Sequence, residues 1–253
     1  MSLAKQKRRD QRKANAAKKE ERGRVSKEKF EEERHAIPPV EAKNPKQKEM
    51  LKALATKQVV IIDAPAGTGK TYLTTSIAID NLQNGVDDKL ILSRPAVGMG
   101  KNTLGMLKGD MRAKFEPYLM PIVDVIVNRW GSGVYESGLN NKNIEFAPME
   151  YLRGRDFKGT AIIDEAANIT PEEMYTILTR LNEEGKLYLI GDRSQNDLHN
   201  KTGLQWLVEF VERHNLGEQV QVIRATSDDI VRGRFCKAVV KGRESDIREG
   251  FKL

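Results

Sequence analysis

Val59-Val-Ile-Ile-Asp-Ala-Pro-Ala-Gly-Thr-Gly-Lys-Thr71 decides the fold. Four apolar β-branched residues predict a buried strand, a loop of small residues follows, and Tyr72 to Leu82 predicts a helix. Strand, loop and helix in that order are what a phosphate-binding loop requires. Successive backbone N–H groups of Ala64, Pro65, Ala66, Gly67, Thr68 and Gly69 (Pro65 itself lacking one) can turn inward toward phosphate oxygens. The helix N-terminus adds the positive end of its dipole. Lys70 can then reach β- and γ-phosphates, and the Thr71 hydroxyl can ligate Mg²⁺. In the pattern G-x-x-x-x-G-K-[ST] the first Gly position is Ala64, which suits a tight turn only if its φ stays negative.

A chain of 253 residues is expected to form one domain with extensions. The expected boundaries are a charged segment over 1–37, a nucleotide-binding domain over 38–240 and a charged tail over 241–253. No apolar run approaches a membrane span, and the basic N-terminus lacks the apolar centre of a signal peptide. The single Cys236 cannot form an internal disulfide and reads as a core residue. Three His and one Cys make a structural zinc site an unfitting reading. The expectation is the cytoplasm of a cell, or of an infected one, and no membrane.

The net charge of +7 is unevenly placed. Residues 1–34 hold thirteen Lys or Arg against seven Asp or Glu, which leaves only +1 for the rest of the chain. This segment consists of good helix formers with almost no apolar face. It reads as a frayed helix or disordered tail, or as a basic arm on RNA or DNA. Pro38-Pro39 ends it.

Asn44 to Leu54 predicts a helix with Met50, Leu51 and Leu54 on one face. Gln47, shortly before the loop strand, could offer both an acceptor and a donor to an adenine edge, which suits ATP over GTP. Lys89 to Ser93 is a second strand, so a βαβ unit and a parallel sheet follow. Pro117 to Arg129 reads as a helix, Gly131 to Asn143 as turn chemistry or a hairpin, and Ile144 to Ala147 as a strand.

Thr160-Ala-Ile-Ile-Asp-Glu165 ends an apolar strand in two acids. Asp164 is placed to hold Mg²⁺, and Glu165 to orient a water against the γ-phosphate. Thr170, Pro171 and Glu173 start a helix running towards Leu181. Leu187 to Ile190 is a further strand, after which Asp192 and Gln195 can reach the γ-phosphate from the other side. Gly203 to His214 predicts a helix, Gln219 to Arg224 an edge strand, and Ser227 a cap for a last helix through Val240.

These segments together resemble the PhoH family of P-loop ATPases, relatives of the RecA-like motor domains of superfamily-one helicases. The resemblance is carried by APAGTGKT (64–71), SRPAV (93–97), LKGDMRAKFEPYLMPI (107–122) and APMEYLRGR (147–155). It continues through IIDEAAN (162–168), TPEEMYTILTRL (170–181), GDRSQND (191–197) and DDIVRGRF (228–235). Ala64 departs from the usual Gly, and Ala167 stands where the family often has Gln. The resemblance implies an α/β RecA-like fold, a mostly parallel sheet with helices on both faces. It also implies ATP hydrolysis with Mg²⁺ through Lys70, Thr71, Asp164, Glu165 and Gln195, and action on single-stranded nucleic acid, RNA before DNA. Compact forms of this kind are similar to phage-encoded proteins.

Helicases of that type close ATP between two lobes and take an arginine from the second. The length suits one lobe, so a neighbouring subunit is expected to supply the missing wall in a ring, a hexamer. Arg232 and Arg234, then Arg180, are the finger candidates. Arg94, Lys101, Lys108, Arg153 and Arg155 are expected to line a phosphate-tracking groove. Two other readings compete: a nucleotide-gated binding protein with little turnover, and a small-molecule kinase, which has no use for a water-activating acid at 165.

Overall fold

β1 (Val59–Asp63) is buried at every position, as its unbroken apolar run requires. It lies inside a six-stranded sheet in the computed structural model, which describes residues 37–95, 112, 115–154, 156–192 and 202–251. The other strands are β2 (Leu90–Ser93), β3 (Ile144–Phe146), β4 (Thr160–Ile163), β5 (Lys186–Gly191) and β6 (Val220–Arg224). All pair in parallel, in the order β3-β2-β4-β5-β1-β6. The compact unit that contains them runs from Val40 to Leu253.

Alternation along each strand feeds two cores. Val60, Ile62, Leu90, Leu92, Tyr188 and Ile190 face one, with Met50 and Leu54 of α1 (Pro45–Thr56), Leu73 and Ile79 of α2 (Lys70–Gln83), and Ile122 and Ile126 of α3 (Met120–Trp130). Tyr135 of α4 (Ser132–Asn140) closes that layer. Val59, Ile61, Ile91, Ile163, Leu187 and Leu189 face the other core. There they meet α5 (Met149–Arg153), α6 (Pro171–Leu178) and α7 (Gly203–His214). The chain is thus an α/β, RecA-like fold with a parallel sheet covered on both faces, as expected. No described helix is long and apolar enough to cross a membrane.

Several local expectations give way to packing. Gly131–Asn143 holds a helix, α4, rather than a hairpin. Its glycines are poor helix formers, but Gly138 lies so close to Ile144 that an added Cβ would sit 2.6 Å from Cδ1. Tyr135 also donates its hydroxyl to Glu116 at 2.9 Å. The predicted Pro117–Arg129 helix divides into a 3-10 turn (Glu116–Leu119) and α3. Thr170 caps α6 in a full capping box with Glu173, but the helix ends at Leu178 rather than near Leu181. Thr226, not Ser227, caps only a 3-10 turn (Ser227–Asp229). The last helix, α8 (Arg234–Glu249), starts later, runs through the expected tail and buries none of its residues. Cys236 is therefore a partly exposed residue of that helix and not part of the core.

Candidate active site

The loop after β1 is built from short backbone contacts. Ala64 N–H donates to Gly191 O at 3.0 Å, so the chain leaves the sheet between β1 and β5. Ala64 is buried and has no positive φ, which resolves its departure from Gly: the turn there needs no left-handed residue. The left-handed positions are Gly67 (φ 84°) and Gly69 (φ 88°). Thr68 donates its hydroxyl to Pro65 O at 2.9 Å and closes the loop on itself. Gly69 stands as N-cap of α2 with no side-chain cap, which leaves the first amides of the helix available to an anion. Lys70 and Thr71 open that helix, half-buried.

Two remote segments brace this loop. Gln47 donates Nε2–H to Thr68 O at 2.8 Å, and its Oε1 accepts from Lys43 N at 2.8 Å. Gln47 is only 3 % exposed, and a Cβ on Gly69 would lie 2.7 Å from its Nε2. Its adenine-reading capacity is thereby reduced to the one donor hydrogen and lone pair left over. On the other side, Gly67 O accepts from Val231 N at 3.0 Å and Arg232 N at 3.2 Å. A Cβ at Gly67 would meet Arg232 Cβ at 3.0 Å, Cys236 Sγ at 3.2 Å and Ile230 Cγ2 at 3.2 Å.

The acids stand two strands away, at the carboxyl end of β4. Neighbouring strands lie about 4.8 Å apart, so β5 holds β4 about 10 Å from β1, room for phosphate, ion and water between them. Asp164 N–H continues the ladder to Ser93 O at 3.0 Å, and its Oδ1 accepts from Glu165 N at 2.9 Å. Glu165 itself is left-handed (φ 53°, ψ 37°), a conformation that costs a non-Gly residue about 1–2 kcal/mol. Burial pushes the Asp164 carboxyl up, against the Glu165 amide, Arg94 and Lys70, which favour its charged form. Burial and then the Asp164 charge push Glu165 up, opposed by Arg94 and Lys70 and assisted by Asp192. Asp192 follows β5 and is 7 % exposed.

A Mg²⁺ shared with phosphates takes one or two protein oxygens and fills its shell with water and ligand. Thr71 Oγ1 and the Asp164 carboxylate fit that need. Among the described residues no cluster of three or more His, Cys, Asp or Glu could hold a metal alone.

Lys70, Thr71, Asp164, Glu165 and Asp192 thus converge at one end of the sheet, where Lys70 acts electrostatically on both acids. Gln195, Lys101, Lys108, Arg155 and the basic segment 1–36 lie outside the described residues. Arg153 belongs to α5. Arg232 is exposed just before α8 and Arg234 exposed at its first turn, while Arg180 pairs with Asp156 at 3.5 Å. Arg94, expected to line a phosphate-tracking groove, lies 3.8 Å from Glu165. That pairing follows from the β2–β4 register, which matches Ser93 with Ile163. An arginine directly after a strand of a parallel sheet is the one sequence signal that could have suggested it. The Val231–Arg232 brace had none.

Ala167 is fully buried beneath the site, where its backbone N lies 3.0 Å from the place of a Gly191 Cβ.

The model of the family described as "PhoH-like protein" matches residues 39–243. Protein PhoH of Escherichia coli K12 is 35% identical over 202 residues, 79% of this chain and 56% of that protein. PhoH-like proteins of Bacillus subtilis and Synechocystis are 38% and 40% identical, over 77% and 66% of this chain and 61% and 51% of theirs. The chain thus spans little more than half the length of these relatives. Among solved structures, the large terminase of a thermophilic bacteriophage is similar at 12% identity and a TM-score of 0.49, over 81% of this chain and 50% of that one. The sequence matches, covering the strand, loop and acids just described, show that this chain belongs to the PhoH-like protein family.

Proposed function

We propose that the chain binds ATP with Mg²⁺ and hydrolyses it, acting on single-stranded nucleic acid, RNA before DNA, in the cytoplasm. The observation that carries hydrolysis is the place of Glu165, part-buried just after β4, 3.8 Å from Arg94 and within the field of Lys70. A carboxylate placed there can orient a water against the γ-phosphate and accept its proton. Lys70 and the uncapped amides of α2 hold the β- and γ-phosphates, and Thr71 and Asp164 hold the ion. The bound ion supplies charge neutralisation across the phosphates. Glu165 orients a water and accepts its proton as the water oxygen bonds to the γ-phosphorus. The bond from that phosphorus to the β–γ bridging oxygen breaks, releasing ADP and inorganic phosphate. Asp192, and Gln195 beyond it, contact the far side.

The nucleic-acid part rests on Arg94 at the strand ends together with the lysines and arginines that follow in sequence, and on the basic charge of residues 1–34. A ring of copies, a hexamer, places an arginine of one copy against the nucleotide of the next. Arg232 and Arg234 suit that role because their segment is hydrogen-bonded to their own phosphate loop, so each finger would be tied to the state of its own site.

The test is ATP turnover with and without single-stranded RNA or DNA, alongside Lys70→Ala. Free phosphate is expected from the wild type and about a hundredfold less from Lys70→Ala. A phosphorylated acceptor would support a kinase instead, and ATP binding without turnover a nucleotide-gated binding protein. Nucleic acid that neither stimulates hydrolysis nor binds more weakly at higher salt would remove the nucleic-acid part. Full activity in a strictly monomeric protein would remove the ring.

A further inference from the structure

Arg94 has only part of its bonding filled. Its Nη1 donates to Tyr118 O at 3.2 Å, which anchors the guanidinium to the 3-10 turn before α3. Its Nη2 lies 3.8 Å from Glu165 Oε1. Its Nε is buried and has no hydrogen-bond partner among the described residues. An arginine committed to a carboxylate makes two short parallel bonds at about 2.7–2.9 Å. The Arg94–Glu165 pair is therefore an ion pair that another anion can replace.

The Glu165 carboxylate is equally uncommitted. It has no hydrogen bond among the described residues, and its backbone N–H is spent on Asp164. The charges that act on it are Asp164 at its own strand end, Arg94 after β2, Lys70 at the start of α2 and Asp192 after β5. Arg94 is the one of these that forms an ion pair with it.

The sheet order indicates which anion competes. β2 lies three strand positions from β1, about 14 Å along the sheet, with β4 and β5 between. Arg94 therefore sits on the far side of Glu165 from the phosphate loop, on the outer flank of the site and a quarter exposed. An anion arriving there comes from outside the nucleotide pocket, and a strand phosphate is the kind the proposed function supplies.

We propose that Arg94 is a positioning residue for Glu165: it holds the carboxylate back in the resting site and releases it when a phosphate of the single strand takes the guanidinium. Strand binding is thereby coupled to water activation by exchange of one ion pair. This rests on the reading that the chain hydrolyses ATP on nucleic acid.

The experiment measures kcat and KM for ATP in Arg94→Ala, Arg94→Gln and Arg94→Lys, with and without a single-stranded oligonucleotide. Loss of a partly exposed ion pair should raise basal kcat by about two- to fivefold and leave KM within about twofold. The ratio of stimulated to basal kcat should fall to near one in Arg94→Ala. Arg94→Gln, which keeps a donor for Tyr118 O, carries the same expectation if the alanine variant does not fold, and Arg94→Lys should recover part of the stimulation. A basal kcat that falls would overturn the proposal, because Arg94 would then act on the chemistry or the fold itself. A stimulation ratio equal to that of the wild type in Arg94→Ala overturns the assignment of Arg94 alone. A wild type that hydrolyses ATP but responds to no oligonucleotide overturns the nucleic-acid reading, and the release step with it.

Discussion

Two arginine–glutamate groups in this molecule use the same residue types to opposite ends. Around Arg112, every charge is bonded. Its Nε donates to Glu116 at 2.7 Å and its other nitrogens to Glu136 at 2.7 and 2.9 Å, while Tyr135 donates to Glu116. Both carboxyls are held below their usual range, first by hydrogen bonds from Arg112. Around Arg94, the nearest carboxylate is 3.8 Å away, a guanidinium nitrogen is unpartnered among the described residues, and both acids are pushed up. The first group stabilises the junction of the 3-10 turn and α4. The second stores unsatisfied charge at the open end of the sheet, which is what a site awaiting a polyanion and a cation requires.

The sharpest way to break that contrast is Glu165→Gln. If the site group serves chemistry, the substitution should lower kcat by about 10²–10⁴-fold while ATP is retained, read by steady-state kinetics and by equilibrium binding of ATP. Because a raised carboxyl is a liability to the fold at neutral pH, the variant should melt at or above the wild-type temperature. A lower melting temperature would place Glu165 with the structural charges.

Gly67→Ala probes the point where scaffold and site join. A positive φ of 84° costs alanine about 1–2 kcal/mol, and Arg232, Cys236 and Ile230 crowd the place of the new methyl. Stability should fall by about 2–3 kcal/mol and ATP affinity should weaken with it. Loss of affinity with unchanged denaturant midpoint would show that the Val231–Arg232 brace yields without cost. Thr170→Ala is the opposite kind of probe, purely structural. It removes a complete capping box on α6 and should cost about 1 kcal/mol, with kcat unchanged.

The sequence made some of this legible. β1, α2 and the Thr170 cap follow from local chemistry: an apolar run, glycines at positive φ, a Thr-Pro-Glu-Glu start. α7 runs over Gly203–His214 as expected, and a capping box of Thr202 with Gln205 fixes its start. What failed depends on partners far along the chain. α4 forms from GSGVYESGLN because Ile144 and Glu116 wait for Gly138 and Tyr135, which no propensity encodes. At the site, residue types and their arrival at one end of the sheet could be read from strand ends alone. The Arg94–Glu165 pair needed the β2–β4 register, and the bracing of the loop by Gln47 and by Val231–Arg232 needed contacts across 21 residues and more.

The smallest expected effect concerns pH, and it isolates the bonded group. Glu116 is held low in the folded protein by Arg112 and Tyr135. A carboxyl depressed on folding contributes stability that is present above its unfolded pKa and lost as pH falls through the folded one. The wild type should therefore lose stability below about pH 4.5, whereas Glu116→Gln should lie below the wild type at neutral pH and converge with it as pH falls, so that its acid limb is flatter. With Arg112 about a third exposed, solvent screening limits the difference to about 0.5–1 kcal/mol. Denaturant titrations at several pH values would read it. Turnover should be unaffected, because this group stands by the 3-10 turn and α4 and not at the strand ends that carry Asp164 and Glu165. A variant that kept its acid limb yet lost ATP hydrolysis would mean that the two charge groups communicate, and that the division drawn between them is wrong.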